Sequence, residues 1–329
     1  RYARPFPRSE VRLPMWKALL HRLLISIPLL VSVSMVTFVL AALTPGNAAR
    51  TILGLTATKA QLNALERSLG LDQALYIQYW HWLVGVLHGN LGDSIFTGEP
   101  VSRILNAGLP ITLTLIVAAV GGSLIVGVPL GIVSARRSGA IHHIVDTFSL
   151  AGFAIPSFWL GLLLVIAFSM ELHWFPASGW ISPGVSLGGC FRSLVLPVVT
   201  LSVGGASLIA KQTRDGMLDV MSQEYIRALR GRGLSVRSIV YKHALRNALP
   251  NVVTLVGLYV VGLLLGTTLV ENVFALQGLG SIAVQATSQH NLPVLEGAAL
   301  YFTLIVVVTF MIVDLVRLWL SPKLRSSSG

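Results

Sequence analysis

Charge is what this chain has least of. Asp, Glu, Lys and Arg make up 11% of its 329 residues, against 54% hydrophobic residues and a mean hydropathy of +0.75. A soluble domain of such length usually carries about a quarter charged residues. So little polar surface cannot coat a water-soluble particle, and lipid must be the solvent for much of the chain. Cysteine is nearly absent as well. Cys190 stands alone, which excludes an intramolecular disulfide and a cysteine-rich metal site. No G-x-x-x-x-G-K-S/T run occurs, which excludes phosphate binding by a P-loop. His142 and His143 adjoin each other rather than sharing a helical face at i, i+4, and no carboxylates accompany them at zinc-ligand spacing. Neither a nucleophile elbow nor a pair of catalytic carboxylates can be assembled. The chain therefore reads as no enzyme and as holding no metal.

What is present is apolar sequence in long runs. Six segments stand out: Leu23 to Leu43, Leu109 to Ala135, Phe148 to Met170, Leu194 to Ala210, Val252 to Val270 and Gly297 to Val313. Each approaches or exceeds the roughly 17–25 residues a helix needs to cross the hydrocarbon core. None of them contains Asp, Glu, Lys or Arg, and a charge at mid-membrane costs about 2.5–3.5 kcal/mol on insertion scales. The first run is longer than a signal-peptide core and ends in Thr44, Pro45 and Gly46 without an A-x-A pattern, so it reads as a retained helix. The expected fold is an all-α polytopic membrane protein of six transmembrane helices. Its expected parts are an N-terminal arm 1–22, a membrane domain 23–320 and a tail 321–329.

Lysine and arginine give the orientation. They crowd the N-terminal arm, the Arg136–Arg137 loop, the segment 211–250 and the C-terminal tail. The other side holds only Arg50, Lys59, Arg67, Arg103 and Arg192. This bias puts both termini in the cytoplasm and explains the net charge of +11 without nucleic acid. The long loop 45–108 is then external, and within it Tyr76 to His88 predicts a short helix rich in Tyr and Trp. That helix either lies on the outer membrane surface or packs on its own neighbours. Two more outer loops, Leu172 to Ser193 and Glu271 to Glu296, follow. The second contains Gly278, Gly280 and Ala283 in a G-x-G-x-x-A match that follows no strand and reads as turn chemistry. Gly127 with Gly131, and Gly262 with Gly266, form GxxxG pairs suited to close helix packing, within the subunit or against a partner.

The cytoplasmic segment 211–250 differs from all of this. Ser222 is placed to cap a short helix, with Glu224 in its first turn. Tyr225, Ala228 and Leu229 fall at i, i+3 and i+4 as an apolar stripe, with Arg227, Arg230 and Arg232 on other faces. Gly231 and Gly233 mark its end. Ser235 is placed to cap a second helix whose apolar residues are Ile239, Tyr241, Leu245 and Leu249. A short basic amphipathic helix ending in a glycine turn suits two uses: docking in a groove of a cytoplasmic partner, or contact with anionic headgroups.

The same segment resembles the "EAA" coupling loop of binding-protein-dependent ABC importer permeases, in the dipeptide/oligopeptide/nickel branch and its first (B-type) subunit. The matching residues are Glu224, Tyr225, Ile226, Arg227, Arg230, Gly233 and Leu234, then His243, Ala244, Leu245, Arg246, Asn247 and Ala248. Ala228-Leu229 and Gly231-Arg232 depart from the branch pattern. LTPGN at Leu43 to Asn47 is similar to the family's L-T-P-G-D, with Asn47 in place of the acid. Leu69 to Leu83, Gly89 to Val101, Ile155 to Leu164, Pro176 to Trp180 and Gly278 to Ala286 also resemble family segments, in order.

The resemblance implies a type I importer permease paired with a second, related permease, in a bacterial inner membrane. It also implies two ATPase subunits, which would hold ATP and Mg since this chain has no site for either, and an extracytoplasmic solute-binding protein. The implied cargo is peptides or similar small solutes. Residues 224–233 would be the coupling helix, with Glu224, Tyr225, Arg227, Ala228, Arg230 and Gly233 at the ATPase and His243, Arg246 and Asn247 in support. An ion-coupled secondary transporter is the alternative; such proteins usually carry ionisable residues within their spans.

Overall fold

The computed structural model describes residues 15–43, 48–54, 56–136, 147, 152 and 154–320, with backbone only for 15–23 and 48. The described helices follow one another along the chain. They are α1 (Met15–Leu43), α2 (Ala48–Leu53), α3 (Lys59–Ser68), α4 (Leu75–Leu87), α5 (Val101–Arg136) and α6 (Ser157–Glu171). Then come α7 (Leu187–Met221), α8 (Glu224–Gly231), α9 (Val236–Val273), α10 (Leu279–Gln289) and α11 (Leu292–Leu320).

Five of these, α1, α5, α7, α9 and α11, are long and apolar enough to cross a membrane. They correspond to five of the six expected spans. Of the expected third span, Phe148 to Met170, the described part from residue 157 is helical, and its last turns are π-helical from Val165. The His142–His143 pair lies outside the described residues. Apolar side chains such as Val117, Ile125, Leu258 and Leu265 point outward along the long helices, as they do when lipid rather than water is the surrounding medium.

The long helices outrun their apolar cores. The fourth expected span is the middle of α7, which continues unbroken through Lys211 and Arg214 to Met221. The sixth span is preceded in the same helix by Glu296. The expected outer loop Glu271 to Glu296 is mostly helix: Glu271 sits in the last turn of α9, and α10 occupies the middle.

α5 threads the core. At one end Val101 and Leu105 pack with Leu279, Val294 and Ala298. Midway Leu115, Ile116 and Ala119 meet Leu196, Leu201 and Val260. At the far end Ile132 and Ala135 join Met217, Val220 and the residues around α8. α5 and α7 lie unusually close, because Gly127 and Gly131 face α7. A methyl group on Gly131 would lie 2.6 Å from Ala210 O and from Thr213 Cβ. The first GxxxG pair is therefore an internal packing site. Gly262 of the second pair meets nothing within 4 Å.

Some polar groups along this interface are satisfied internally, while Ser134 Oγ and Thr213 Oγ1 are buried with no hydrogen-bond partner among the described residues. Ser123 Oγ donates to Ser202 O (3.0 Å) and Tyr259 Oη to Leu201 O (2.7 Å), as most buried polar groups of a folded chain do. The aromatic helix α4 packs partly on α1. Tyr79 Oη lies 2.9 Å from Ser34 Oγ, and its ring meets Phe38 edge-on. Tyr76 and Trp80, on its other face, are exposed.

Candidate functional site

α8 hangs between α7 and α9. Its N-terminus differs from the expected cap. Gln223, in extended conformation, occupies the N-cap position without a side-chain bond. Ser222 Oγ instead donates to Asp219 O (2.8 Å), closing the end of α7. Glu224 lies in the first turn of α8, where a carboxylate complements the helix dipole.

The C-terminus is as the glycines foretell. Gly233 takes φ +80°. Its N–H donates to Arg230 O (3.0 Å), and Leu234 N–H reaches back to Leu229 O (3.3 Å). These paired bonds, with Leu229 and Leu234 packed against one cluster, make a Schellman cap. The next helix starts with Ser235 Oγ accepting from Ser238 N–H (3.3 Å), as its position predicts.

The buried stripe of α8 is not the expected one. Ile226 is fully buried and Leu229 half-buried, both against Met217, Val220, Ile239 and Val240. Tyr225 is 38% exposed and Ala228 faces out. Tyr225, Ala228 and Leu229 fit helical spacing, but so do Ile226 and Leu229 with Leu234 beyond the turn. The base formed by α7 and α9 receives the purely apolar set. Tyr225 instead stands at the edge, where Asn247 Nδ2 donates to its Oη (3.0 Å) and to His243 O (2.9 Å). Asn247 thus ties α8 to α9 across the gap. In the second helix Ile239, Val240, Ala244 and Ala248 are the buried residues, and Tyr241 is exposed.

The remaining candidates line up on the outside. Glu224, Arg227, Arg230 and Arg232 are exposed on α8 and its cap, Arg246 is exposed on α9, and His243 is half-buried. Beside α8 lies a cavity of about 480 Å³ whose lining includes Asp219, Gln223, Tyr225, Asn247 and Asn251. The result is a short helix anchored by Ile226, Leu229, the Tyr225–Asn247 bond and a glycine cap, offering an arginine-rich face away from the bundle.

At the opposite end of the bundle the sequence reading missed a second structured polar site. Glu271, assigned above to an outer loop, is fully buried. Thr112 Oγ1 donates to its Oε1 (2.6 Å) and Ser281 N–H to its Oε2 (2.9 Å), while Leu279 N–H donates to Thr112 Oγ1 (2.8 Å). The carboxylate caps the start of α10 from another helix. Gly278 is the N-cap residue of α10, so the G-x-G-x-x-A match is turn and packing chemistry. Among the described residues no three His, Cys, Asp or Glu side chains come together as a metal set.

Comparison with known proteins agrees with this architecture. The model for the inner membrane component of binding-protein-dependent transport systems matches residues 127–326, and that for the N-terminal part of such components matches 15–116. The D,D-dipeptide transport system permease DdpB of Escherichia coli K12 is 33% identical over 336 residues, covering 95% of this chain and 99% of that one. The oligopeptide transport system permease AppB of Bacillus subtilis 168 is 32% identical over 311 residues, covering 93% and 98%. A chain of the MetNI methionine ABC transporter, solved in inward-facing form, superposes with TM-score 0.56 at 20% identity. It covers 68% of this chain and 99% of that one, a likeness of fold. On these matches, over most of its length, the chain belongs to the inner membrane components of binding-protein-dependent transport systems, the permease subunits of ABC importers.

Proposed function

We propose that this permease moves peptides or similar small solutes delivered by an extracytoplasmic binding protein. It works beside a second, related permease, and α8 with its cap, residues 224–233, docks on one of two ATPase subunits. The observation that carries the docking role is the geometry of α8. One face is fixed to α7 and α9 through Ile226, Leu229 and the Tyr225–Asn247 bond, and the opposite face is free and basic. A helix held at both its cap and its base moves with the long helices it joins. Closure of the ATPases on ATP and Mg would then reach the spans as rigid-body motion.

The bias of Lys and Arg supports six spans with α8 and both termini in the cytoplasm. The named cargoes of DdpB and AppB support peptides. The relatives give no support to the ion-coupled alternative.

Affinity purification of the tagged chain from its native membrane tests this. Co-purification of a second permease and P-loop ATPases is expected, with hydrolysis stimulated by a peptide-loaded binding protein. A cysteine at Arg227 should crosslink to the ATPase subunit. Recovery of the chain alone, active without an ATPase, would overturn the proposal.

A further inference from the structure

Glu296, near the start of α11, is fully buried, and neither carboxylate oxygen has a hydrogen-bond partner among the described residues. An ionised carboxylate left in that condition costs several kcal/mol. It lines a cavity of about 570 Å³ between α1, α4, the 91–100 segment and α11, at the end of the bundle away from α8. Phe38, Gln78, His81, Trp82 and Asp93 line the same cavity, and among the described residues no Lys or Arg does. The charged groups described in its wall are therefore carboxylates, joined by one histidine. Trp82 contributes a second unmet requirement: its Nε1–H is buried and has no acceptor among the described residues. Buried polar groups of a native protein are paired with few exceptions, and here two of opposite kind, an acceptor and a donor, line one cavity.

We propose that this cavity binds a zwitterion, its primary ammonium on Glu296 and its anionic oxygen on the Trp82 indole N–H. An ammonium presents three donors. It satisfies a carboxylate and an amide oxygen such as that of Gln78 at once, and the rings of Phe38 and Trp82 suit a cation's neighbourhood. A metal ion is a poorer fit, because His81, Asp93 and Glu296 do not converge as a ligand set. Two sources share the required chemistry: the ethanolamine phosphate headgroup of a membrane lipid, and the free termini of a small peptide. The site stands apart from α8 and does not depend on the cargo proposed above.

Calorimetric titration of the delipidated full chain in dodecyl maltoside tests it. Glycerophosphoethanolamine and dialanine are the separate probes, applied to wild type, E296Q and W82F. At least one probe should bind saturably, E296Q should weaken it by about tenfold or more, and N-acetylation of the probe should abolish binding. Binding of the headgroup alone assigns the site to lipid, and binding of dialanine alone assigns it to free peptide. Failure of both probes, or equal affinity for wild type and E296Q, overturns the proposal. W82F removes only the donor and should lower affinity for the same probe. It keeps the proposal refutable should E296Q fail to fold.

Discussion

At the α8 end of the bundle, the helix caps are made locally. The Gly233 cap and the Ser235 cap connect residues a few positions apart, the Tyr225–Asn247 bond reaches across 22 positions, and the longest reach is the apolar packing of Ile226 in one cluster with Ile132 and Ala135. At the other end the contacts that matter span the chain. Thr112 meets Glu271 at a separation of 159, and Asn291 meets Ser94 at 197. Two buried glutamates sit there with opposite fates. Glu271 is answered by a hydroxyl and a backbone N–H; Glu296 has no partner among the described residues. The comparison teaches that burial alone does not say what a carboxylate is for. The satisfied one holds the structure together, and the orphan is available to a ligand.

The largest effect should come from breaking the satisfied side. Glu271→Ala leaves the Thr112 hydroxyl and the Ser281 N–H buried without acceptors, at about 1–3 kcal/mol for each group. The detergent-solubilised subunit should unfold at a temperature several degrees lower. Glu296→Gln, in the empty protein, removes a carboxylate with no described partner and should leave that temperature unchanged or raise it. If both substitutions destabilise equally, the distinction between the two glutamates is wrong.

At the α8 end the sharpest blow is to the cap. Gly233 holds φ +80° with open space around it, so the cost of a side chain is conformational and not steric. A residue other than glycine in the left-handed region costs roughly 1–2 kcal/mol, and a β-branched one is disfavoured further. Gly233→Val should therefore lower solute-stimulated ATPase activity by about tenfold or more, while the chain still inserts and accumulates. Gly233→Asn, which tolerates this conformation, should recover most of the loss. Normal transport by Gly233→Val would show that the cap does not position α8.

The same contrast explains what could be read from sequence. Five of the spans, the Ser235 cap and the glycine turn follow from hydropathy, spacing and the conformational freedom of one residue, all of them local signals, whereas the Ser222 cap does not form. The stripe of α8 was ambiguous because Tyr225 and Ile226 both suit helical spacing; only the base formed by α7 and α9 selects the isoleucine. Glu271 and Glu296 looked like the polar boundaries of an outer loop, the usual meaning of a glutamate beside an apolar run. Their burial depends on where α5 and α4 lie, which no window of sequence around either residue contains. Glycines behaved likewise: Gly127–Gly131 and Gly262–Gly266 are alike as motifs, yet only the first pair has α7 closely against both glycines.

The smallest expected effect tests the longer hydrogen bond at the α8 end. Asn247→Ala removes the donor to Tyr225 Oη, and Tyr225→Phe removes the acceptor. A neutral, partly solvated hydrogen bond contributes about 0.5–1.5 kcal/mol, so each change should reduce solute-stimulated ATPase activity by a few-fold at most. Asn247 also donates to His243 O within its own helix, which makes its loss slightly the larger. If the bond between the side chains is what couples α8 to α9, the double variant should be no worse than Asn247→Ala alone. Additive losses would mean that the two side chains act separately, Tyr225 at a partner surface and Asn247 on its own helix. Ile226, Leu229 and the Gly233 cap would then carry the mechanical connection between α8 and the bundle.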